Sequence, residues 1–377
     1  MGAKPRAFKH WLDPARIRQI SAAIAEASPE FDADGFATAA QRGLAALELK
    51  ARVRHVIDCL HASLPQPFDR AVAALLAAVR LDGQKRTGDD RWLRGFAAWP
   101  LIDYVGEHGV DHREVSLSAL RELTCLFSAE FAIRPFLERY PDETLRELET
   151  WTKDASEHVR RLVSEGTRPL LPWGMRLGKF RDDPEPVIAL LEQLKSDPAE
   201  YVRRSVANNL NDIAKDHPER VVEICRRWLD DGDGDVNRQR LVKHGLRTLI
   251  KRGNADALAL LGFGSDLAAK VSDVELSPRA LAEGGAVELQ FELSSTSTAT
   301  QNVIIDYAVH FVKANGKRSP KVFKLKALRL GPGETVTVRK KHSMKTVTTR
   351  VHYPGTHAIE LLINGKPSGR AEFELVE

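Results

Sequence analysis

Two patterns of apolar and polar positions divide the chain near residue 267. Before that point, apolar residues recur at helical spacing, as in RAVAALLAAVRL, LSALRELTCLFSAEF and PVIALLEQLKSD. After it, short alternating runs such as VELQFEL, TVTVRKK and HAIELLIN are separated by turn sequences rich in glycine, proline and asparagine. The pattern predicts an all-α part followed by an all-β part.

The helical part contains an internal repeat. The segment SEHVRRLVSEG (156–166) matches AEYVRRSVANN (199–209), with Val-Arg-Arg in register 43 positions apart. A weaker match links SVANNLNDIAKDHP (205–218) to LVKHGLRTLIKRGN (241–254) at a shift of 36. Units of this length with two helices each are typical of HEAT-like solenoids, which bury an apolar face only by stacking. We therefore predict a HEAT-like solenoid over residues 1–266.

The remaining segment, 267–377, has strands at roughly ten-residue spacing, which favours an immunoglobulin-like sandwich. The Cys…Trp…Cys pattern of antibody domains is absent, and a small barrel stays open as an alternative. The predicted fold class is thus multidomain α and β, with an all-α HEAT-like solenoid followed by an all-β immunoglobulin-like sandwich.

Composition adds limits on size and compartment. A chain of 377 residues exceeds one ordinary domain. Cys59, Cys125 and Cys225 lie far apart in apolar helical patterns without CxxC spacing, so we expect buried, reduced thiols. The first residues lack an apolar region and no later segment is apolar enough for a membrane span, so we expect a cytoplasmic protein without a membrane partner.

Basic charge is concentrated in one stretch of the β-rich segment. Between Lys313 and Arg350 there are twelve basic residues, among them Lys340 and Lys341, and the single acid is Glu334. Such a basic strip favours binding of a polyanion. The alternative is a solvated sheet face whose lysines only prevent pairing of strand edges.

Arginine pairs recur with the helical repeat. Arg160 and Arg161 open the second helix of one unit, and Arg203 and Arg204 occupy the same places in the next. Guanidinium groups close to helix N-termini suit phosphate oxygens, so the pairs are candidate contacts to a nucleic-acid backbone. The alternative is that one arginine of each pair forms salt bridges within the repeats.

Carboxylates occur on the same segment. Glu165 and Asp212 lie at nearly corresponding places in consecutive repeats, and Glu130 and Trp173 lie nearby in the sequence. We expect the carboxylates to converge on a common point. Carboxylates beside a phosphate-binding surface are unfavourable unless they pair with structural cations or stabilise a cation in catalysis, and spacing leaves both options open.

Other motifs give no sign of a cofactor. DDGDGD at 230–235 lacks the glycine and the final glutamate of a calcium loop, and HGVDH at 108–112 has no further zinc ligand near it. No GxxxxGK[ST], GxGxxG or nucleophile-elbow sequence occurs. We therefore expect neither a metal nor a nucleotide or flavin cofactor.

The segments VRRLVSEGTRPLLPW (159–173) and YVRRSVANNLNDIAKDHP (201–218), followed by HGLRTLIKRGN (244–254), resemble the AlkC family of bacterial DNA alkylation-repair glycosylases, which are relatives of AlkD. The likeness runs from about Lys9 to Phe263. The resemblance implies a monofunctional, metal-free enzyme that removes cationic bases such as N3-methyladenine and N3-methylcytosine. It also implies that the protein reaches the lesion by bending double-stranded DNA sharply, without flipping the nucleotide into a deep pocket. Members of the family occur with and without a C-terminal immunoglobulin-like domain, and the β-rich segment 267–377 fits the first form.

The resemblance implies roles for particular residues. Glu130, Glu165 and Asp212 would surround the lesion, and Trp173 would lie against the base or deoxyribose. We expect Asp212 to position water or stabilise the cation, with Glu165 as its closest partner. The protein is expected to act as a monomer, and the predicted DNA-binding residues are Arg160, Arg161, Arg168, Arg203, Arg204, Lys215, Lys243, Arg247, Lys340 and Lys341.

Two other classes of function stay open at this stage. One is a HEAT-type scaffold for protein interactions, which would have an apolar or acidic concave face. The other is a non-catalytic protein that binds DNA damage without excising it. The recurring arginines and the basic strip favour nucleic acid over protein, and only the carboxylates separate the enzyme from the binder.

Overall fold

The fold comes from a computed structural model, which describes residues 7–264, 267–347 and 350–376. The α-helices of the described chain are α1 (Pro14–Ala27), α2 (Ala33–Gln41), α3 (Leu49–Ser63), α4 (Phe68–Lys85), α5 (Trp99–His108), α6 (Arg113–Leu123), α7 (Arg134–Arg139), α8 (Pro141–Trp151), α9 (Glu157–Gly166), α10 (Gly178–Asp182), α11 (Glu185–Leu194), α12 (Glu200–Ile213), α13 (Pro218–Asp230), α14 (Val236–Gly245), α15 (Arg247–Lys251) and α16 (Ala255–Leu260). The strands are β1 (Ala269–Ser277), β2 (Ala280–Ala282), β3 (Ala286–Ser295), β4 (Gln301–Val312), β5 (Arg318–Leu330), β6 (Thr335–Ser343), β7 (Gly355–Ile363) and β8 (Lys366–Val376). The predicted order, helices first and strands second, is confirmed.

The chain divides into two compact units. The first reaches to Asp216 and includes residues 236–241, and the second comprises residues 217–235 and the chain from Val242 onward. The second unit therefore joins α13, α15 and α16 to the strands. The predicted domain boundary between residues 266 and 267 touches residues 265–266, which lie outside the described part of the chain, and it stays a prediction.

The repeat seen in the sequence has the same local structure in both copies. Before α9, the Asp154 side chain accepts a hydrogen bond of 2.8 Å from the Ser156 amide, and before α12 the Asp197 side chain accepts one of 2.8 Å from the Ala199 amide. Such turns satisfy amides that a helix N-terminus leaves without partners. The 43-residue repeat is thus a repeat of backbone geometry as well as of sequence.

One arginine of each pair stabilises this turn. Arg160 donates to the carbonyls of residues 154 and 155, and Arg203 donates to the carbonyls of residues 197 and 198. Arg160 also forms an ion pair with Asp197 of the next repeat, through two hydrogen bonds of 2.6 and 3.0 Å. Arg160 and Arg203 are therefore the members of each pair that make contacts within the repeats.

The strands form two sheets that face each other. The first has the order β1-β3-β6, and the second has the order β2-β8-β7-β4-β5. Alternate residues of β3, including Leu289 and Phe291, are buried against residues of β4 such as Tyr307 and Phe311. Two packed sheets with alternating inward side chains make a sandwich and not a closed barrel. The all-β prediction is confirmed in its sandwich form.

The helices of the second unit approach the strands closely at one turn. Gly253 has φ 68° and Gly365 has φ 74°, and a Cβ atom on Gly253 would lie 2.6 Å from the carbonyl oxygen of Gly365. The Asn364 amide also donates to the Gly264 carbonyl at 3.1 Å. Only glycine combines positive φ with such an approach, so both positions require it.

The cysteines depart in part from the expectation. Cys225 is buried, but Cys59 is half-buried and Cys125 is exposed. The prediction of a buried thiol was wrong for Cys125 because α6 ends at Leu123, so Cys125 lies in the following turn and not on the apolar face of a helix. Within the described ranges, none of the helices is both long and apolar enough to cross a membrane.

Candidate functional site

Two helices from consecutive repeats, α9 and α12, bring polar side chains together. Arg161 and Glu165 lie one turn apart on α9, and Arg168 follows two residues after the helix ends. Ser205 and Asp212 lie two turns apart on α12. Residues at these spacings share one face of a helix. The repeat thereby directs charged groups of both units toward each other.

These groups form a chain of alternating charge, which we call the carboxylate network. Arg168 donates to Glu165 Oε1 at 2.6 Å from Nη1 and to Asp212 Oδ2 at 2.8 Å from Nε. Arg161 Nη1 lies 2.7 Å from Glu130 Oε2, and its Nη2 lies 3.6 Å from Glu165 Oε1. The expected convergence of Glu165 and Asp212 is thus observed at Arg168, and Arg161 connects Glu130 to the same network.

Two of the carboxylates are buried and have partners at both oxygens. Asp212 is 2% exposed and also accepts from Lys215 Nζ at 2.8 Å. Glu165 is 5% exposed and also accepts from Ser205 Oγ at 2.6 Å. Buried charges are tolerated when they are paired and hydrogen-bonded in this way. Their positions are therefore fixed in the free protein.

Glu130 differs from the other two carboxylates. It is half-buried, and its Oε2 accepts from Arg161 and, at 3.0 Å, from Ser128 Oγ. Its Oε1 has no hydrogen-bond partner among the residues that the structure describes. Glu130 also lines a cavity of about 350 Å³ together with Arg161 and Tyr201. It is therefore the carboxylate of the network with an oxygen open to an incoming molecule.

Two buried arginines, Arg168 and Arg134, keep their charge. Burial opposes the charge of Arg168, but Glu165 and Asp212 outweigh burial and raise the pKa of this guanidinium. Arg134 is fully buried, and burial together with Arg168 lowers its pKa to about 10. At neutral pH each of these groups is cationic, so the carboxylates are balanced by internal charge.

Trp173 lies on the loop between α9 and α10. Its side chain is 63% exposed, and it lines a cavity of about 190 Å³ with Trp99 and Phe131. Phe131 also lines the larger cavity beside Glu130. The aromatic residue and the open carboxylate singled out in the sequence thus flank two cavities that share one wall.

The surface beside the network carries the aromatic and basic groups of the repeat. His158 and Tyr201 occupy equivalent positions in the two sequence repeats, and their rings meet edge to face with centroids 5.7 Å apart. The Arg161 guanidinium lies 5.1 Å from the Tyr201 ring centroid. Arg204, which occupies the position of Arg161 in the next repeat, is exposed. This surface offers cations and ring faces to a ligand.

The predicted DNA-binding residues fall into three groups. Arg160, Arg168, Arg203 and Lys215, all in the first unit, make hydrogen bonds within the protein. Arg161 is half-buried in the network and Arg204 is exposed. Lys243, Arg247, Lys340 and Lys341 belong to the second unit, where Lys243 and Lys341 are exposed and Lys340 is half-buried. Contact of any of them with DNA stays a prediction.

Sequence reasoning missed three residues that organise the site. Arg134 donates to the Gly166 and Met175 carbonyls, Lys50 donates to the Trp173 carbonyl, and Ser128 bonds Glu130. Arg134 had a detectable signal, because it is a charged residue inside the apolar run FAIRPFL. Lys50 had none, since it is 123 positions away from its partner.

Comparison with known proteins identifies the family of the chain. Residues 36–227 match the family described as DNA alkylation repair enzyme, and residues 270–377 match the C-terminal Ig-like domain described for the uncharacterised protein YhaZ. The chain belongs to the DNA alkylation repair enzyme family. It has the form with a C-terminal immunoglobulin-like domain, as the sequence resemblance implied.

Two relatives of this DNA alkylation repair family member cover nearly its whole length. The alkylpurine DNA glycosylase AlkC of Pseudomonas fluorescens, solved with DNA that contains an abasic-site analogue, is 39% identical with a TM-score of 0.91 over 99% of this chain and 100% of its own. The uncharacterised protein YhaZ of Bacillus subtilis (strain 168) is 35% identical over 95% of this chain and 96% of its own.

Proposed function

We propose that this chain is a monofunctional DNA glycosylase that hydrolyses the N-glycosidic bond of cationic alkylated bases, N3-methyladenine and N3-methylcytosine, in double-stranded DNA. The observation that carries the proposal is the convergence of Glu130, Glu165 and Asp212 within 3.6 Å of shared arginines. A solved relative of 39% identity holds DNA with an abasic-site analogue, which represents DNA after a base has been lost.

The residue types agree with this reaction. An alkylated base already carries a positive charge and leaves as a neutral molecule, so it needs no proton from a general acid. The deoxyribose develops oxocarbenium character as the bond breaks, and water must add to it. Carboxylates stabilise such a cation electrostatically and orient the water. The network supplies carboxylates and requires no cofactor.

The environments of the carboxylates divide these tasks. Asp212 and Glu165 have donors on all four oxygens, which suits them to fixed electrostatic stabilisation of the sugar cation. Glu130 keeps Oε1 open beside the larger cavity, which suits it to hold the attacking water. Of the two roles expected for Asp212, cation stabilisation therefore fits its surroundings better than water positioning.

Arg161 connects DNA binding to this chemistry. Its guanidinium pairs with Glu130 at 2.7 Å and is only half-buried, so a DNA phosphate beside the network would compete for it. Transfer of Arg161 to a phosphate would expose Glu130 to the cationic lesion. Exposed Arg204 would add a second backbone contact, and Trp173 would offer a ring face to the positively charged base.

The immunoglobulin-like domain would contribute a second DNA-binding surface. The edge strand β5 exposes Lys321, Lys324, Lys326 and Arg329, and β6 exposes Arg339 and Lys341. Cations in such numbers bind DNA mainly by phosphate neutralisation and release of counterions, without regard to sequence. We therefore expect the complete chain to bind as a monomer with a steep dependence on salt.

The test is release of free base from methylated double-stranded DNA, measured by chromatography in the presence of a chelator. Wild type is expected to release methylated adenine, and Glu130→Gln, Glu165→Gln and Asp212→Asn are each expected to lose most of that release. Glu157→Gln is the matched control, because Glu157 is an exposed carboxylate in the first turn of the same helix, α9.

Binding to DNA that contains an abasic-site analogue separates loss of chemistry from loss of fold. The variants should keep this binding, because they retain the shape of the carboxylate side chains. Full release by the Glu130, Glu165 and Asp212 variants would reject the assignment of the site. Binding by wild type without any release would instead make the chain a non-catalytic binder of damaged DNA.

A further inference from the structure

Trp173 has an unusual backbone conformation for a bulky residue. Its φ is 67°, in the left-handed region that favours glycine, and the residue is 63% exposed. A large side chain in that region is sterically unfavourable, so other contacts must hold it there. Strained residues of this kind cluster at functional sites, where surrounding groups fix their geometry.

One of those contacts comes from a distant part of the chain. Lys50 Nζ donates a hydrogen bond of 2.5 Å to the Trp173 carbonyl oxygen. Lys50 is the second residue of α3, and its ammonium group also lies 5.8 Å from the centroid of the Phe131 ring. Lys50 and Phe131 both line the smaller cavity with Trp173. The lysine thus fixes the peptide that follows the strained residue.

The loop is held from beneath by a second cation. Arg134 is fully buried and donates to the Met175 carbonyl at 2.6 Å and to the Gly166 carbonyl at 2.7 Å. The chain on either side of Trp173 is therefore attached to one rigid group. Arg134 fixes the base of the loop, and Lys50 fixes its tip.

We propose that Lys50 is a positioning residue that sets the direction of the Trp173 ring through the Trp173 carbonyl, supported by Arg134 at the base of the loop. The proposal rests on the proposed function, in which Trp173 contacts the damaged nucleotide. Because the hydrogen bond restrains ψ of Trp173, its loss lets the peptide rotate and frees the tryptophan from its place on the cavity wall.

Lys50 is the better of the two cations to substitute. Its side chain is at the surface, whereas replacing Arg134 would leave two buried carbonyls without donors and endanger folding. Arg54 provides a matched control one turn further along α3. It is an exposed cation that lines the same cavity, but its partners are Glu107 at 2.7 Å and Asp58 at 3.6 Å.

The first experiment observes Trp173 directly in the complete protein. The chain is labelled with 5-fluorotryptophan, and the Trp173 fluorine resonance is identified by its disappearance in Trp173→Phe. Lys50→Ala should shift or broaden this resonance, Lys50→Arg should largely restore it, and Arg54→Ala should leave it unchanged. An unchanged resonance in Lys50→Ala would overturn the proposal, whether or not the protein releases bases.

The second experiment measures the consequence for the reaction. Under single-turnover conditions Lys50→Ala should slow base release about tenfold, with little change in affinity for DNA, because misorientation of a positioned group affects the reacting complex most. In a Trp173→Ala background, Lys50→Ala should cause no further loss. Arg54→Ala should release base at the wild-type rate.

Two outcomes would overturn the proposal in this second experiment. An additive effect of Lys50→Ala in the Trp173→Ala background would show that Lys50 acts on DNA itself and not through the tryptophan. A wild-type rate in Lys50→Ala would show that the hydrogen bond does not matter for the reaction. Absence of base release by wild type would reject the proposed function, and the fluorine signal would still decide the contact.

Discussion

Arg168 donates to Asp212 across 2.8 Å, so a residue that follows the helix of one repeat neutralises a buried carboxylate in the next. The same guanidinium bonds Glu165 at 2.6 Å. Two carboxylates this close repel each other and attract protons when nothing neutralises them. The fixed negative charge of the site therefore depends on a cation that is itself 7% exposed.

Replacement of Arg168 by methionine should destabilise the protein and reduce base release. Removal of one partner from a buried ion pair typically lowers the free energy of unfolding by about 3–5 kcal/mol, because the remaining charge has no partner. Arg168→Lys should retain part of both properties, since lysine keeps the charge but cannot bond both carboxylates in the same geometry. Urea unfolding and single-turnover base release measure the two effects. Wild-type stability in Arg168→Met would contradict the structural role.

The first and the second arginine of the repeated pair should have different roles. The first should contribute to stability and the second to DNA binding. Arg160→Ala should lower the free energy of unfolding by about 3 kcal/mol, because Asp197 is buried and would lose its two-bond partner. Arg204→Ala should leave stability nearly unchanged and weaken DNA binding, because its side chain is exposed. Thermal unfolding and DNA titration check both variants, and the reverse assignment would show that the pairs are oriented differently.

The repeat and the charge pattern were predictable from sequence for a physical reason. A stacked solenoid requires the same turn and the same buried face in each unit, so Val-Arg-Arg returns 43 positions later and the first arginine of each pair again donates to the carbonyls of the preceding turn. The carboxylates followed from that register, since Glu165 and Asp212 lie near the same place in consecutive units. The change from helical to alternating spacing located the sandwich.

Contacts between distant segments were not predictable. Sequence spacing shows that two arginines are adjacent, but only packing decides that Arg160 bonds the turn while Arg161 faces Glu130. The hydrogen bond from Lys50 to Trp173 depends on the positive φ of Trp173, and a tryptophan carries no sequence signal for that conformation. The grouping of α15 and α16 with the strands likewise depends on the approach of Gly253 to Gly365.

Neighbouring lysines on β6 should differ in their effect on DNA binding. Lys341 is exposed, whereas Lys340 is half-buried on the side of the strand that carries buried Val338 and His342. Lys341→Gln should reduce the slope of log affinity against log salt by about 1, the value for loss of one phosphate contact. Lys340→Gln should change it less. Equal effects would contradict the orientation, and no effect of either would place the DNA contact of the domain elsewhere.

Three buried histidines should make the immunoglobulin-like domain sensitive to acid. His342, His352 and His357 are each less than 9% exposed, and His342 Nδ1 lies 3.0 Å from the Tyr307 hydroxyl. Burial, followed by the charges of His352 and Arg350, lowers the pKa of His342 to about 4. Burial also lowers the pKa of His352 and of His357. The folded domain therefore binds these protons more weakly than the unfolded chain does.

Stability of the sandwich should fall as the pH decreases from about 6.5, the ordinary value for histidine, toward 4. Because the pKa is lower in the folded state, the stabilisation from neutral His342 is complete above that window and is lost within it, by roughly 3 kcal/mol. Hydrogen exchange of peptides from β4 and β7 in the complete chain, measured at pH 7 and pH 5 and corrected for intrinsic rates, reports the change. His342→Gln should reduce this acid sensitivity, whereas His61→Gln, at an exposed position in the first unit, should retain it. Equal acid sensitivity in wild type and His342→Gln would exclude His342 as its source.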